Sequence, residues 1–211
     1  MTITEIFHSI QGEGPFQGHP TVFVRFTGCD LRCRWCDTAH AFHGGQSITR
    51  EVLVERLAAF PCRRACLTGG EPLLQHELPE LASALIQANW SLSLETGGHR
   101  PLAGLPPALT IVADVKCPGS GEGGSFLLEN LAHLKRGDEL KFVVADEADV
   151  DFALSFHASQ PIPPGVRACI SPAWGALDLP ALARRIVDSG QDVVLGMQLH
   201  KIIWGAEAQG V

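Results

Sequence analysis

Three of the seven cysteines of this 211-residue chain stand within eight positions, as Cys29, Cys33 and Cys36. They form a C-x3-C-x2-C pattern inside Gly28-Cys29-Asp30-Leu31-Arg32-Cys33-Arg34-Trp35-Cys36-Asp37-Thr38. Crowded thiols of this kind point to metal rather than to a disulfide framework. Two metal chemistries are open to them. A cube of iron and sulfide can take three cysteines and leave one iron free for an outside ligand, where reaction can occur. A structural zinc would want a fourth ligand, which His40 or His43 could supply. Cys117 is a candidate for an extra thiolate near the same site. Cys62, Cys66 and Cys169 read as small buried hydrophobes.

Further down the chain, Gly69-Gly70-Glu71-Pro72 puts two glycines before an acid. Such glycines let backbone approach a ligand closely, and the acid can accept from an ammonium.

The elements that position these residues follow from pattern. Thr21–Phe26 is β-branched and aromatic and reads as a strand. A Gly- and Cys-rich loop follows it, about residues 27–46. Thr49 caps a helix to about Phe60, with Val52, Leu53, Leu57 and Ala58 on one apolar face. Further strands are expected at Ala65–Leu67, Ser91–Glu95, Leu109–Val115, Glu139–Val144, Val166–Ile170 and Asp192–Met197. Helices are expected at Leu78–Asn89, Phe126–Lys135, Ala148–His157 and Leu179–Asp188, the last capped by Asp178 with Pro180 in its first turn.

Alternating βα units imply a mostly parallel sheet with outer helices. A complete eight-unit barrel usually needs about 250 residues. About seven strands in one domain, residues 1–211 with a tail from about 205, therefore predict an incomplete, TIM-like βα barrel. Cys29, Gly69, Thr96, Lys116, Ser171 and His200 all fall at or just beyond strand C-termini, the face on which such folds assemble their sites.

The composition is that of an ordinary soluble globular protein, 45% hydrophobic and 18% charged. A net charge of −7, with 16 scattered Lys and Arg, offers no basic stripe for nucleic acid, so a small molecule is the expected substrate. Met1–Glu5 shows no signal-peptide pattern, and no apolar run approaches the roughly 20 residues of a membrane span. The cytosol is the expected location.

The cysteine pattern after a first strand, with Gly69–Pro72 after the second, resembles the signature of the radical S-adenosylmethionine (SAM) superfamily. The resemblance implies a four-iron, four-sulfur (4Fe-4S) cluster on Cys29, Cys33 and Cys36, with SAM chelating the open iron and yielding a deoxyadenosyl radical on reduction. It places Trp35 near the adenine and Gly69, Gly70 and Glu71 at the SAM amino group. Thr96, Gly97, Lys116 and Ser171 complete the implied SAM contacts.

Glu5-Ile6-Phe7-His8-Ser9-Ile10-Gln11-Gly12-Glu13-Gly14, followed by Cys36-Asp37-Thr38, narrows this. From about Thr4 to Lys201 the chain resembles the 7-carboxy-7-deazaguanine synthase family, with further anchors at Glu95–Gly98, Glu139–Lys141 and Gln198–Lys201. The implied reaction is ring contraction of 6-carboxy-5,6,7,8-tetrahydropterin with loss of ammonia. Ile10, Gln11, Gly12, Glu13, Arg25, Thr68 and His200 match substrate contacts, and Thr38 matches a Mg2+ ligand. A flavodoxin or ferredoxin as electron donor and a homodimer covering the open side of the barrel are also implied. The chain departs from the familiar pattern at Asp114-Val115-Lys116, at Ser171-Pro172-Ala173-Trp174 and at Leu199. The alternatives are an activase of glycyl-radical enzymes and a non-catalytic metal-binding module.

Overall fold

The computed structural model describes residues 1–211. Its elements in chain order are β1 (Thr2–Ile10), β2 (Pro20–Phe26), β3 (Gln46–Ser47), α1 (Arg50–Ala58), β4 (Arg64–Gly69), α2 (Leu78–Gln87), β5 (Ser91–Thr96) and β6 (Thr110–Asp114). There follow β7 (Glu139–Val144), α3 (Glu147–Ser159), β8 (Arg167–Pro172), α4 (Leu179–Ser189), β9 (Val193–Leu195) and α5 (Leu199–Trp204).

The nine strands make one sheet in the order β3-β1-β2-β4-β5-β6-β7-β8-β9. From β2 to β9 every pairing is parallel, whereas β1 runs antiparallel to both β2 and β3. The end strands β3 and β9 do not meet, so the βα barrel is incomplete and open. The seven parallel strands match the expected ones to within a few residues. The antiparallel β1 and β3 were not expected.

Each central strand sorts its side chains by alternation, because successive residues point to opposite faces. Val22, Val24, Phe26, Ala65, Leu67, Leu92 and Leu94 pack with Leu53 and Leu57 of α1 and Leu78, Leu81 and Leu85 of α2. On the other half of the sheet, Ile111, Ala113, Leu140, Phe142, Ala168 and Ile170 pack with Val150 and Ala153 of α3 and Leu182 and Ile186 of α4. The intervening residues face the inner side: Arg25, Thr68, Glu95, Asp114, Lys141 and Ser171 among them. Inner-face polar groups are the ones available for chemistry.

Helix ends follow the expected physics. Thr49 accepts from Val52 N, and Asp178 accepts from Ala181 N with Pro180 in the first turn. Three expectations need correction. Val52 is exposed, so the buried stripe of α1 is Leu53 and Leu57 alone. The segment expected as a helix over Phe126–Lys135 is a 3-10 turn at Leu128–His133, because Asn130 is drawn into bonds with Gly98 O, Arg100 O and Leu102 N. Cys62 is half-exposed rather than buried: its Sγ lies 3.2 Å from Pro20 O and accepts from Arg64 N.

Candidate active site

Cys29, Cys33 and Cys36 are free, half-buried thiols on the loop after β2. Cys36 N donates to Cys33 O at 3.2 Å, and Arg34 N donates to Ser120 O at 2.9 Å, which anchors the loop against the segment after β6. Burial pushes the Cys29 and Cys33 thiols up from their ordinary value, and the neighbouring Cys36 adds to the rise at both. A metal binds such groups as thiolates, so loading the site releases their protons.

No three His, Cys, Asp or Glu side chains converge on a point where one ion would sit. An iron–sulfide cube asks instead for thiols at separate corners, and the three lie close enough together for their charges to interact. No other cysteine joins them. Cys117 is fully buried in the helix-side core with its Sγ 3.9 Å from Val115 O, and burial drives its thiol far up, so the extra thiolate expected there is absent. Cys66 and Cys169 are buried too, and burial holds the Cys169 thiol at about 12.

Gly69 and Gly70 close the end of β4 against this loop. A β-carbon at Gly70 would overlap Gly28 O and lie 2.8 Å from Cys29 Cβ, and one at Gly69 would overlap the backbone of Phe26. Only glycine allows the two backbones to meet this closely. Gly70 N and Glu71 N then donate to Phe26 O and Gly28 O at 3.1 and 2.7 Å. The two glycines thus pin the end of β4 directly against the first residues of the cysteine loop, beside Cys29.

The Glu71 side chain points inward. It is fully buried and accepts from Thr96 Oγ1, Gly97 N and Leu73 N, each at 2.9–3.0 Å. The side-chain or N–H groups of Glu71, Thr96 and Gly97 thus lock the ends of β4 and β5 together. Beside them, Asp30 accepts from His99 Nε2 at 2.7 Å and from Arg100 Nη2. Burial works against ionisation of Asp30, but His99 and Arg100 outweigh it and hold its carboxyl below the ordinary value. Trp35 is half-buried on the cluster loop. Lys116 bonds Asp114 Oδ2 at 2.7 Å and lies close enough to Cys33 for their charges to interact. Ser171 is buried on β8, packed beneath Gly196.

The substrate-side residues meet on the inner face. Gln11 Nε2 donates to Glu95 Oε1 at 3.1 Å and Thr68 Oγ1 donates to Glu95 Oε2 at 2.9 Å, so one carboxylate joins the β1–β2 loop to β4. Glu13 N donates to Gln11 Oε1 at 3.3 Å, and Glu13 Oε2 accepts from Lys141 Nζ. Arg25 donates through Nε alone to Glu5 Oε1 at 2.6 Å, leaving its terminal nitrogens without a protein partner.

The C-terminal segment straps this loop in place. Leu199 N donates to Gly12 O at 3.0 Å, and Gln17 Nε2 bridges Gly12 O and Met197 O. A β-carbon at Gly12 would collide with the His200 ring, so the imidazole lies flush on that backbone. Burial holds His200 below its ordinary value, which leaves it neutral near pH 7. Thr38 Oγ1 donates to Asp37 Oδ1 at 3.0 Å and caps the turn Ala39–Ala41 only through its backbone.

Glu95, Asp114 and Lys141 lie in segments the sequence singled out, but motif reasoning gave none of the three a role of its own. Their signal was present: charged residues alternating with apolar ones inside strands otherwise destined for burial.

The Radical SAM superfamily pattern matches residues 23–113. A 7-carboxy-7-deazaguanine synthase of Koribacter versatilis (strain Ellin345) is 42% identical, aligned over 100% of both chains. One from Thermoplasma acidophilum is 39% identical over 97% of this chain and 98% of its own. The fold is similar to that of QueE from Escherichia coli, with a TM-score of 0.77 at 24% identity over 94% of each chain.

Three thiols on a loop at the open end of a partial βα barrel, with a glycine cradle beside them, define a radical SAM enzyme, which uses a 4Fe-4S cluster and SAM. Similarity along the whole chain then sets aside the activase and the inert metal module. The chain belongs to the 7-carboxy-7-deazaguanine synthase family.

Proposed function

We propose that this enzyme converts 6-carboxy-5,6,7,8-tetrahydropterin to 7-carboxy-7-deazaguanine with release of ammonia, a carbon–nitrogen lyase step toward queuosine and other 7-deazapurines. The observation that carries the reading is the Gln11–Glu95–Thr68 junction on the inner face, at the same strand ends as the cysteine loop, in a chain that matches a 7-carboxy-7-deazaguanine synthase end to end.

Cys29, Cys33 and Cys36 would hold the cluster, with no fourth cysteine beside them to compete with SAM for it. The chemistry that cluster and SAM supply when bound is one-electron cleavage of the sulfonium, the source of hydrogen-abstracting power. Gly69 and Gly70 let the end of β4 close on Phe26, Gly28 and Cys29, beside the place where the SAM amino group would sit, and Glu71, Thr96 and Gly97 fix that turn. Trp35, Lys116 and Ser171 line the remainder of the SAM site, Lys116 with its charge balanced by Asp114.

Ile10, Gln11, Gly12 and Glu13 bind the pterin edge, and Thr68 reaches it from β4. The two terminal nitrogens of Arg25 grip the substrate carboxylate as a fork while Nε stays on Glu5. Neutral His200 closes the site from the C-terminal side and exchanges hydrogen bonds with the bound ring. The Thr38 hydroxyl would serve as a hard oxygen ligand for Mg2+.

A flavodoxin or ferredoxin delivers the electron, and the enzyme works in the cytosol as a homodimer. Exposed Ile202, Ile203 and Trp204 on α5, directly after the edge strand β9, support the second copy. No helix is long and apolar enough to cross a membrane.

The test is anaerobic reconstitution with iron and sulfide, followed by reductant, SAM and the carboxytetrahydropterin. Mass spectrometry should find the deazapurine acid with SAM recovered. Cleavage of SAM with the pterin untouched would overturn the substrate assignment.

A further inference from the structure

We propose that Lys141 is a positioning residue for substrate recognition: it holds the Glu13 carboxylate by one oxygen so that the other meets an N–H of the substrate ring. This rests on the role of Glu13 in the reading above and extends it to a residue to which the sequence gave no individual role.

Lys141 sits on the inner face of β7, directly across from Asp114 of β6. Its side chain is only 14% exposed, and its ammonium bonds Glu13 Oε2. The carboxylates of Glu13, Asp114 and Glu95 all face that ammonium. Burial alone would strip a lysine of its proton, but these acids reverse the effect and keep Lys141 firmly charged.

The three acids do not depend on Lys141 equally. Asp114 has its own cation, Lys116, at 2.7 Å. Glu95 has two neutral donors, Gln11 and Thr68. Glu13 has Lys141 and nothing else for its side chain, and its Oε1 is buried without any partner. A buried acceptor left this way is unfavourable until a donor reaches it. An amino-pyrimidinone ring edge, with its amino and ring N–H groups, is a donor of the right kind, whereas a carbonyl or a carboxylate is not. Without Lys141 the carboxylate would swing toward the nearest free donor or take up a proton, and either change removes the acceptor from the substrate's edge.

The experiment compares reconstituted wild-type, Lys141→Met, Lys141→Arg, Glu13→Gln and Glu13→Gln/Lys141→Met enzymes. Wild-type turnover of the pterin comes first, because its absence sinks the assigned reaction whatever Lys141 does. For Lys141→Met the expected result is a KM for the pterin raised about tenfold or more, with kcat little changed. Iron content and SAM affinity should match wild type, and Lys141→Arg should recover part of the loss. The double variant should be no worse than Glu13→Gln alone, since both changes remove one interaction. That variant carries no unpaired buried carboxylate, so it tests the idea even if Lys141→Met does not fold. The proposal is overturned by an unchanged KM in Lys141→Met or by a wild-type KM in the double variant. Multiplied effects in the double variant, or loss of iron and SAM binding in step with the KM change, would overturn it equally.

Discussion

The Lys201 ammonium lies 2.9 Å from the Asp37 carboxylate, 164 residues earlier in the chain. This contact joins α5 to the residue directly after the last cluster cysteine, so the C-terminal strap and the cysteine loop hold each other. Burial by itself would raise the Asp37 carboxyl, but the Lys201 ammonium and the Thr38 hydroxyl outweigh it and hold the group at about 2. The folded value lies below the ordinary 3.8, so the contact stabilises fully above that pH and is lost as pH falls toward 2. In urea unfolding of the metal-free chain, wild type should be more stable than Asp37→Asn at pH 5. The gap should close as the acid range is crossed; one that stays constant down to pH 2 would contradict the pairing.

Gly70→Ala should block cluster assembly without unfolding the protein. The backbone at Gly70 lies outside the left-handed region, so the substitution acts through collision with Gly28 O and Cys29 Cβ rather than through strain. Iron and sulfide per chain after reconstitution should fall severalfold while the far-ultraviolet circular dichroism stays native. Full iron loading in this variant would show that the cradle has slack the geometry does not reveal.

Thr38→Ala should leave the cluster absorbance intact and weaken the stimulation of turnover by Mg2+. The hydroxyl makes one bond, to Asp37, and none to the cysteines. Loss of the cluster on this substitution would mean that Thr38 shapes the loop instead of serving an ion.

Thr96→Val preserves shape but removes the hydroxyl that donates to both oxygens of Glu71. A buried carboxylate deprived of one donor should lower stability by about 1–3 kcal/mol. Calorimetry of the metal-free chain should find melting reduced by roughly 2–4 °C for each kcal/mol. An unchanged melting temperature would mean that water replaces the hydroxyl, and that the β4–β5 junction is less closed than the distances imply.

The parallel strands were legible because each is a short apolar or alternating run, β-branched or aromatic in β2, β6 and β7, followed by a Gly, Pro or polar break. β1 was harder to see. Thr2–Ile10 mixes polar and apolar residues along an antiparallel strand that is only partly buried, and it drew notice as a motif before it could be read as structure. The 3-10 turn at Leu128–His133 depends on Asn130 meeting Gly98 and Arg100 some 30 residues away, which no local pattern discloses. In the site, Cys29, Cys33, Cys36 and Gly69–Pro72 were readable because their spacing is itself the chemistry. The direction of a carboxylate was not. Whether Glu71 turns outward or inward depends on Thr96 and Gly97, and the importance of Lys141 depends on a loop residue 128 positions before it.

The alternation of the central strands has a consequence for how such a molecule can change. Residues that grip the helices and residues that face the ligand are interleaved along one backbone but point to opposite faces of the sheet. Glu95, Asp114 and Lys141 belong to neither apolar layer. The scaffold can therefore exchange what it recognises without opening either apolar layer, provided that paired charges such as Glu13 and Lys141 change together.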